Sequence, residues 1–326
     1  MKKSIFKWTI VFFSTTFLSL TAFSQDDQFY SVFTTNNRWI NPSNTDFADN
    51  FLSANLISKY QTNNIGGDMY AGVFDISIKT KNSKNCFGFV SCLDKTNYLQ
   101  INSFYFNWSH SIIFNASKLN FGLATGIVKQ TFYGNELNMI LPGGNLPSRS
   151  FGSATYDIDF GIQYERKDLS FGISANHLPQ PEFAPNLSLL HANYTFYSAL
   201  NRAFYFQAQY KIPINEVLFL NVLGLLRLQQ PQYLIYGGSI AIQPAYTYRY
   251  DFYRNNSSTT LFTIGGEIVA SKRYIGGISY RGFDTQINPI GLEFGYLIKT
   301  TSIRINYFLP NSIRGNVIEL NFRFII

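Results

Sequence analysis

The stretch Val317 to Ile326 alternates residue by residue: one parity reads Ile, Leu, Phe, Phe, Ile and the other reads Val, Glu, Asn, Arg, Ile. Successive side chains of a strand point to opposite faces, so this segment presents one continuous apolar face and one mostly polar face. The same period recurs upstream. Ala154, Tyr156, Ile158, Phe160, Ile162 and Tyr164 stand against Thr155, Asp157, Asp159, Gly161, Gln163 and Glu165. Leu119, Phe121 and Leu123 oppose Asn120, Gly122 and Ala124, and Leu169, Phe171 and Ile173 oppose Ser170, Gly172, Ser174 and Asn176.

Read through the chain, the period predicts strands at Leu52 to Tyr60, Met69 to Lys79, Cys86 to Leu93, Leu99 to Ile113, Leu119 to Tyr133, Ala154 to Glu165 and Leu169 to His177. It continues at Leu189 to Ser198, Ala203 to Lys211, Val217 to Leu228, Tyr233 to Gln243, Thr260 to Ala270, Tyr274 to Arg281, Ile290 to Lys299, Ser302 to Phe308 and Val317 to Phe324. That makes sixteen strands, or fourteen if the segments at Leu189 to Ser198 and Tyr233 to Gln243 are not counted. Counted from the first strand, every second connection is short, while Gln61 to Asp68, Gly134 to Ser153, Leu178 to Ser188 and Pro244 to Thr259 are long. Outer-membrane barrels have short periplasmic turns and longer outer loops, which places Gly134 to Ser153 and Pro244 to Thr259 at the cell surface.

Alternation alone does not say which face is outside, because a soluble barrel would bury its apolar rows. The polar rows decide it. They are built from Gly, Ala, Ser, Asn and Gln with scattered charges, and only 14% of the chain is charged against about 25% in a typical soluble domain. Small and amide side chains suit a crowded lumen. Aromatic residues reach 17% and gather near strand ends, as at Tyr60, Tyr70, Tyr133, Tyr210, Tyr274 and Tyr280, where interfacial girdles form. The expected fold is an all-β transmembrane antiparallel up-and-down β-barrel of 14 to 16 strands.

The N-terminus adds an address. Met1, Lys2 and Lys3, an apolar stretch from about Ile5 to Leu20 and then Ala22, Phe23 and Ser24 form the three parts of an export signal, with cleavage expected after Ser24. Loss of 1-24 removes three lysines and leaves 23 basic against 19 acidic residues, a balance that calls for no nucleic-acid partner. No later apolar run approaches the roughly 18 residues of a membrane helix. Residues 25-50 form an irregular lead-in, and 51-326 form the barrel. In the lead-in, Phe29, Tyr30, Phe33 and Trp39 either anchor a plug inside the barrel or lie against a periplasmic partner.

Cys86 and Cys92, six apart on one strand and so about 20 Å apart, are read as two free wall thiols rather than a bridge. No catalytic, cofactor-binding or metal-ligating residue is singled out, and no cofactor is expected. His110, His177 and His191 lack metal-ligand spacing and are read as satisfied polar-face or loop histidines. Asp157 and Asp159 share a strand face, which suits a hydrogen-bonded interior network or a cation-selective lumen. Loop residues Met139 to Phe151 and Tyr246 to Tyr253 are candidates for contact with a secreted protein.

Gln25 to Tyr30 followed by Trp39-Ile40-Asn41-Pro42 resembles the mature N-terminus of the PorP/SprF family. Phe171 to Pro181, the Tyr274 to Arg281 strand with Gly282, the Gly291 to Tyr296 strand and the aromatic last strand resemble its middle and C-terminal half. Where that family commonly continues Asn-Pro with Ala-Tyr-Ala-Gly, this chain has Ser43 to Asp46, and Tyr246 to Ser258 stands as an added loop. The resemblance implies a fourteen-stranded outer-membrane barrel of the type IX secretion and gliding machinery of Bacteroidota. It also implies partners: a large surface adhesin held through its C-terminal domain, or secretion components on the periplasmic side, alongside outer-membrane lipid.

Three functions follow as expectations. The first is a non-enzymatic protein that binds, anchors or helps export a cell-surface protein. The second is a diffusion channel for small solutes. The third, an outer-membrane hydrolase, needs a Ser or Asp clustered with His that the sequence does not offer.

Overall fold

A computed structural model describes residues 38–45, 51–63, 68–81, 84–136, 149–183, 186–189, 192–229, 233–241, 247–255, 259–271, 273–282, 290–298, 301–309 and 314–325. Fourteen strands close into one antiparallel barrel. In chain order the first seven are β1 (Leu52–Asn63), β2 (Met69–Lys79), β3 (Asn85–Lys95), β4 (Leu99–Phe114), β5 (Ser117–Tyr133), β6 (Ser150–Arg166) and β7 (Leu169–Asn176). Three short strands, β8 (Glu182–Phe183), β9 (Asn186–Leu189) and β10 (Ala192–Ala199), leave the wall before β11 (Ala203–Asn215) and β12 (Leu218–Gln229) return to it. A second excursion carries β13 (Tyr233–Ala241) and β14 (Thr247–Asn255). The wall then finishes with β15 (Thr259–Ala270), β16 (Tyr274–Gly282), β17 (Ile290–Ile298), β18 (Thr301–Phe308) and β19 (Arg314–Ile325).

Closure comes from β19 pairing with β1, in a register running from Ser53 opposite Ile325 to Gln61 opposite Val317. An even strand number returns Ile325 to the end from which Leu52 starts. Pro213, which has no N–H for the ladder, sits where the β11–β12 register slips.

The rows face as the alternation predicts. On β19, Ile318, Leu320, Phe322 and Phe324 are exposed while Glu319 and Asn321 are fully buried. Phe87 and Phe89 of β3 stack on Phe106 and Phe104 of β4 along the outside wall, with ring centroids 6.3 and 6.4 Å apart. Because a wall of exposed Phe, Leu and Ile over a polar interior is stable only in hydrocarbon, these rows are the lipid face. Cys86 and Cys92 form no disulfide and lie on the inward row of β3.

Of the two strand counts, fourteen is that of the wall. The segments predicted at Leu189 to Ser198 and Tyr233 to Gln243 do form strands, β10 and β13, but they pair with each other rather than with the wall, Tyr194 standing opposite Gly238. With β8, β9 and β14 they make a five-stranded sheet. The expected loops Leu178 to Ser188 and Pro244 to Thr259 therefore contain strands of that sheet. Both excursions leave from one end of the barrel, which is also the end of the long β5–β6 connection. By the rule of short inner turns that end faces the cell exterior.

Candidate functional site

The lumen is built around residues 38–45. Arg38, Ile40, Asn41, Ser43 and Thr45 are each almost wholly buried inside the barrel. A short turn gives the segment its shape: the Asn41 Oδ1 accepts from Ser43 N at 3.0 Å and from Ser43 Oγ at 2.6 Å, an Asx turn, and Asn44 N donates to Asn41 O. Arg38 Nε closes the loop by donating to Asn44 O at 3.2 Å. Ser43 and Asn44, where the sequence departs from the resembled pattern, thus hold the turn together.

The wall grips this segment with its small residues. Ser174 Oγ donates to Ile40 O at 2.6 Å, and Asn176 Nδ2 donates to Trp39 O at 2.8 Å. Lys118 Nζ reaches Thr45 Oγ1 at 2.5 Å. Gly122 and Gly161 lie so close that a Cβ on the first would strike Pro42 and Ser43, and on the second Asn41. Only glycine lets the chain pass there. Ile40 packs with Ala203, Tyr205 and Leu225, and Trp39 lies between that cluster and a second one around Val73, Val90 and Tyr105.

Above the segment, Asp157, Asp159 and His177 come together, their ligand atoms all within 4.8 Å of one another. Asp157 Oδ2 accepts from Tyr105 Oη at 2.7 Å and lies 2.5 Å from His177 Nδ1, while Asp159 Oδ1 accepts from His177 N at 2.8 Å. This is the interior hydrogen-bond network expected of the two aspartates, and it adds the histidine that spacing alone did not connect to them. A cavity of about 60 Å³ opens beside it, lined by Trp39, Tyr105, Asp159, His177 and Tyr205 among others. Phe183 of β8 and Leu200 join the second apolar cluster, so the roots of the outer sheet pack into the barrel mouth.

The opposite wall is filled by its own side chains. Arg304 Nη1 donates to Glu267 Oε2 at 2.6 Å and to Glu293 Oε1 at 2.8 Å, and Asn221 Nδ2 donates to Glu267 Oε1. Of the other residues singled out from sequence, His110 stands 2.9 Å from Asn85 Oδ1. Phe29, Tyr30, Phe33, His191 and nearly all of Met139 to Phe151 lie outside the described residues. Arg38, which no sequence signal flagged, approaches Asp75 at 3.9 Å with both groups buried.

A family described as type IX secretion system membrane protein PorP/SprF matches residues 22–314. The chain belongs to that family. This PorP/SprF protein is thereby an outer-membrane barrel of the type IX secretion class, and its exposed apolar rows suit a membrane wall. No curated protein matches it. Among solved structures, the CymD monoaromatic hydrocarbon channel superposes with a TM-score of 0.57 at 10% identity, covering 94% of each chain. The toluene transporter TodX of P. putida gives 0.54 at 12% identity, over 90% of this chain and 95% of that one. A FadL homologue of Pseudomonas aeruginosa gives 0.51 at 11%, over 87% and 92%. At such identity the likeness concerns the fold alone.

Proposed function

We propose that this PorP/SprF protein is a non-enzymatic binding and assembly component of the outer membrane, which holds or helps export a cell-surface protein through its outer sheet and loops. The observation that carries the reading is the buried 38–45 segment, seated by hydrogen bonds from β5 and β7 where a solute would have to pass. A diffusion channel needs an open lumen. The cavity beside the Asp157–His177 network is also a poor fit for small aromatics: an apolar void of about 150 Å³ takes a benzene ring, whereas this one is about 60 Å³ and carries Asp159 and His177.

A plugged barrel with a folded sheet at its mouth suits a protein partner, because recognition is carried by elements held on a rigid scaffold. The partner in this reading is the C-terminal domain of an exported adhesin, with periplasmic secretion components below. The test is affinity capture of the tagged full chain from detergent-solubilised outer membrane, with mass spectrometry of what stays bound. A large exported surface protein, lost when β13 and β14 are replaced by a short turn, supports the reading. Capture unchanged by that replacement, or no exported protein at all, refutes it.

A further inference from the structure

The outward rows of β1 to β7 are almost free of charge. Every Asp and Glu on these strands sits on an inward row, and the charged residues that face outward are Lys95, Lys129 and Arg166, all exposed. Arg166 ends β6 at the periplasmic side. Lys95 ends β3, and Lys129 lies four residues before the end of β5, both toward the cell exterior.

The change of chemistry occurs at the same height on three adjacent strands. Going outward, β3 presents Phe87, Phe89, Ser91, Leu93 and Lys95; β4 presents Trp108, Phe106, Phe104, Asn102 and Gln100; β5 presents Leu123, Thr125, Ile127, Lys129 and Thr131. Leu93, Asn102 and Lys129 stand opposite one another, and Lys95, Gln100 and Thr131 form the next rung. A lysine facing lipid is costly at mid-membrane and nearly free at the interface, so these rungs mark the headgroup layer of the outer leaflet.

The patch is also organised. Gln100 Nε2 donates to Asn102 Oδ1 at 3.2 Å, Tyr133 Oη donates to Gln100 Oε1 at 2.6 Å, and Lys95 Nζ lies 5.7 Å from the centre of the Tyr133 ring. Two strands and two residues separate the lysines, about 12 Å between α-carbons. Each side chain reaches roughly 6 Å, so both ammonium groups can meet over the amides of β4. Paired lysines on a polar floor, with no carboxylate on the surrounding outward rows, match a phosphate in charge and in reach. We propose that Lys95 and Lys129 clamp a phosphate of the phosphorylated glycolipid, lipid A, that forms the outer leaflet.

Native mass spectrometry of the full-length protein in mild detergent tests this, after incubation with bisphosphorylated lipid A, with its dephosphorylated form, or with inorganic phosphate. The wild type is expected to retain one bisphosphorylated lipid A and at least tenfold less of the dephosphorylated form. K95Q/K129Q should retain at least tenfold less of the phosphorylated lipid while keeping the wild-type heat-modifiable mobility of a folded barrel. R166Q, at the other interface, should behave as wild type. Equal retention by wild type and K95Q/K129Q overturns the site, leaving two solvated lysines. An equal loss in R166Q reduces it to general charge attraction, and displacement of the lipid by millimolar inorganic phosphate makes the ligand a soluble anion.

Discussion

The two walls of the lumen solve one packing problem in opposite ways. Where residues 38–45 lie, the inward rows of β5 to β7 narrow to Gly122, Gly161, Gly172, Ser174 and Asn176, too small to fill the barrel, and that segment occupies the space. From β15 to β19 the inward rows also hold glycines, Gly277, Gly291 and Gly295, but Glu293, Phe308 and Arg304 of the same wall lie over them and, with Glu267 and Glu319, fill the space. An inward glycine therefore marks a close neighbour, which is residues 38–45 on one wall and the wall's own side chains on the other. A glycine-rich inward row is a statement about what passes in front of it.

Changes on the charged wall should cost most. Arg304→Met leaves Glu267 and Glu293 facing each other without their shared cation, and breaking a buried pair from one side costs about 3–5 kcal/mol. The measurement is the temperature at which the barrel loses its folded electrophoretic mobility, and Arg304→Met/Glu293→Gln should recover part of the loss. On the glycine wall, Gly161→Leu places a side chain where Asn41 sits. Overpacking of this kind costs about 1–3 kcal/mol, and because the guest can leave, the expected result is a folded barrel in which residues 38–45 become accessible to protease. An unchanged digestion pattern would break the contrast between the walls.

The smallest change sharpens it. Ser174→Ala removes one hydrogen bond to Ile40 O, a loss of about 1 kcal/mol. It should raise proteolysis of the segment slightly and leave barrel unfolding unchanged. A shift in barrel unfolding as large as that of Arg304→Met would mean the segment is part of the wall's own stability.

Alternation made the wall legible, and the character of the polar rows gave its orientation: Glu319 and Asn321 are inside, Ile318 and Phe322 outside. It could not say which sheet a strand joins, because the period of two is the same for β10 and β13 as for their barrel neighbours. The two excursions pair over opposed residues 38 to 48 positions apart, from Tyr197 opposite Ile235 to Ala192 opposite Ile240, a separation no local pattern encodes. For the His177 contact with Asp157 and Asp159, counting reaches the height but not the face. Arg166 pairs with Leu169 across a two-residue turn, and carrying that register outward from Phe160 opposite Ala175 puts His177 opposite Ile158, at the height of the two aspartates but on the outward parity. The positive φ of His177, 58°, breaks the alternation and turns the ring into the lumen. The Arg304 cluster draws on three strands, β15, β17 and β18, so only the closed barrel brings it together.

Planar-bilayer recording of the purified full-length protein tests the plugged-lumen account most directly. The intact chain should give no stable conductance steps, and deletion of residues 38–45 should produce them. Steady open-pore steps from the unmodified protein, equal to those of the deletion, would contradict it.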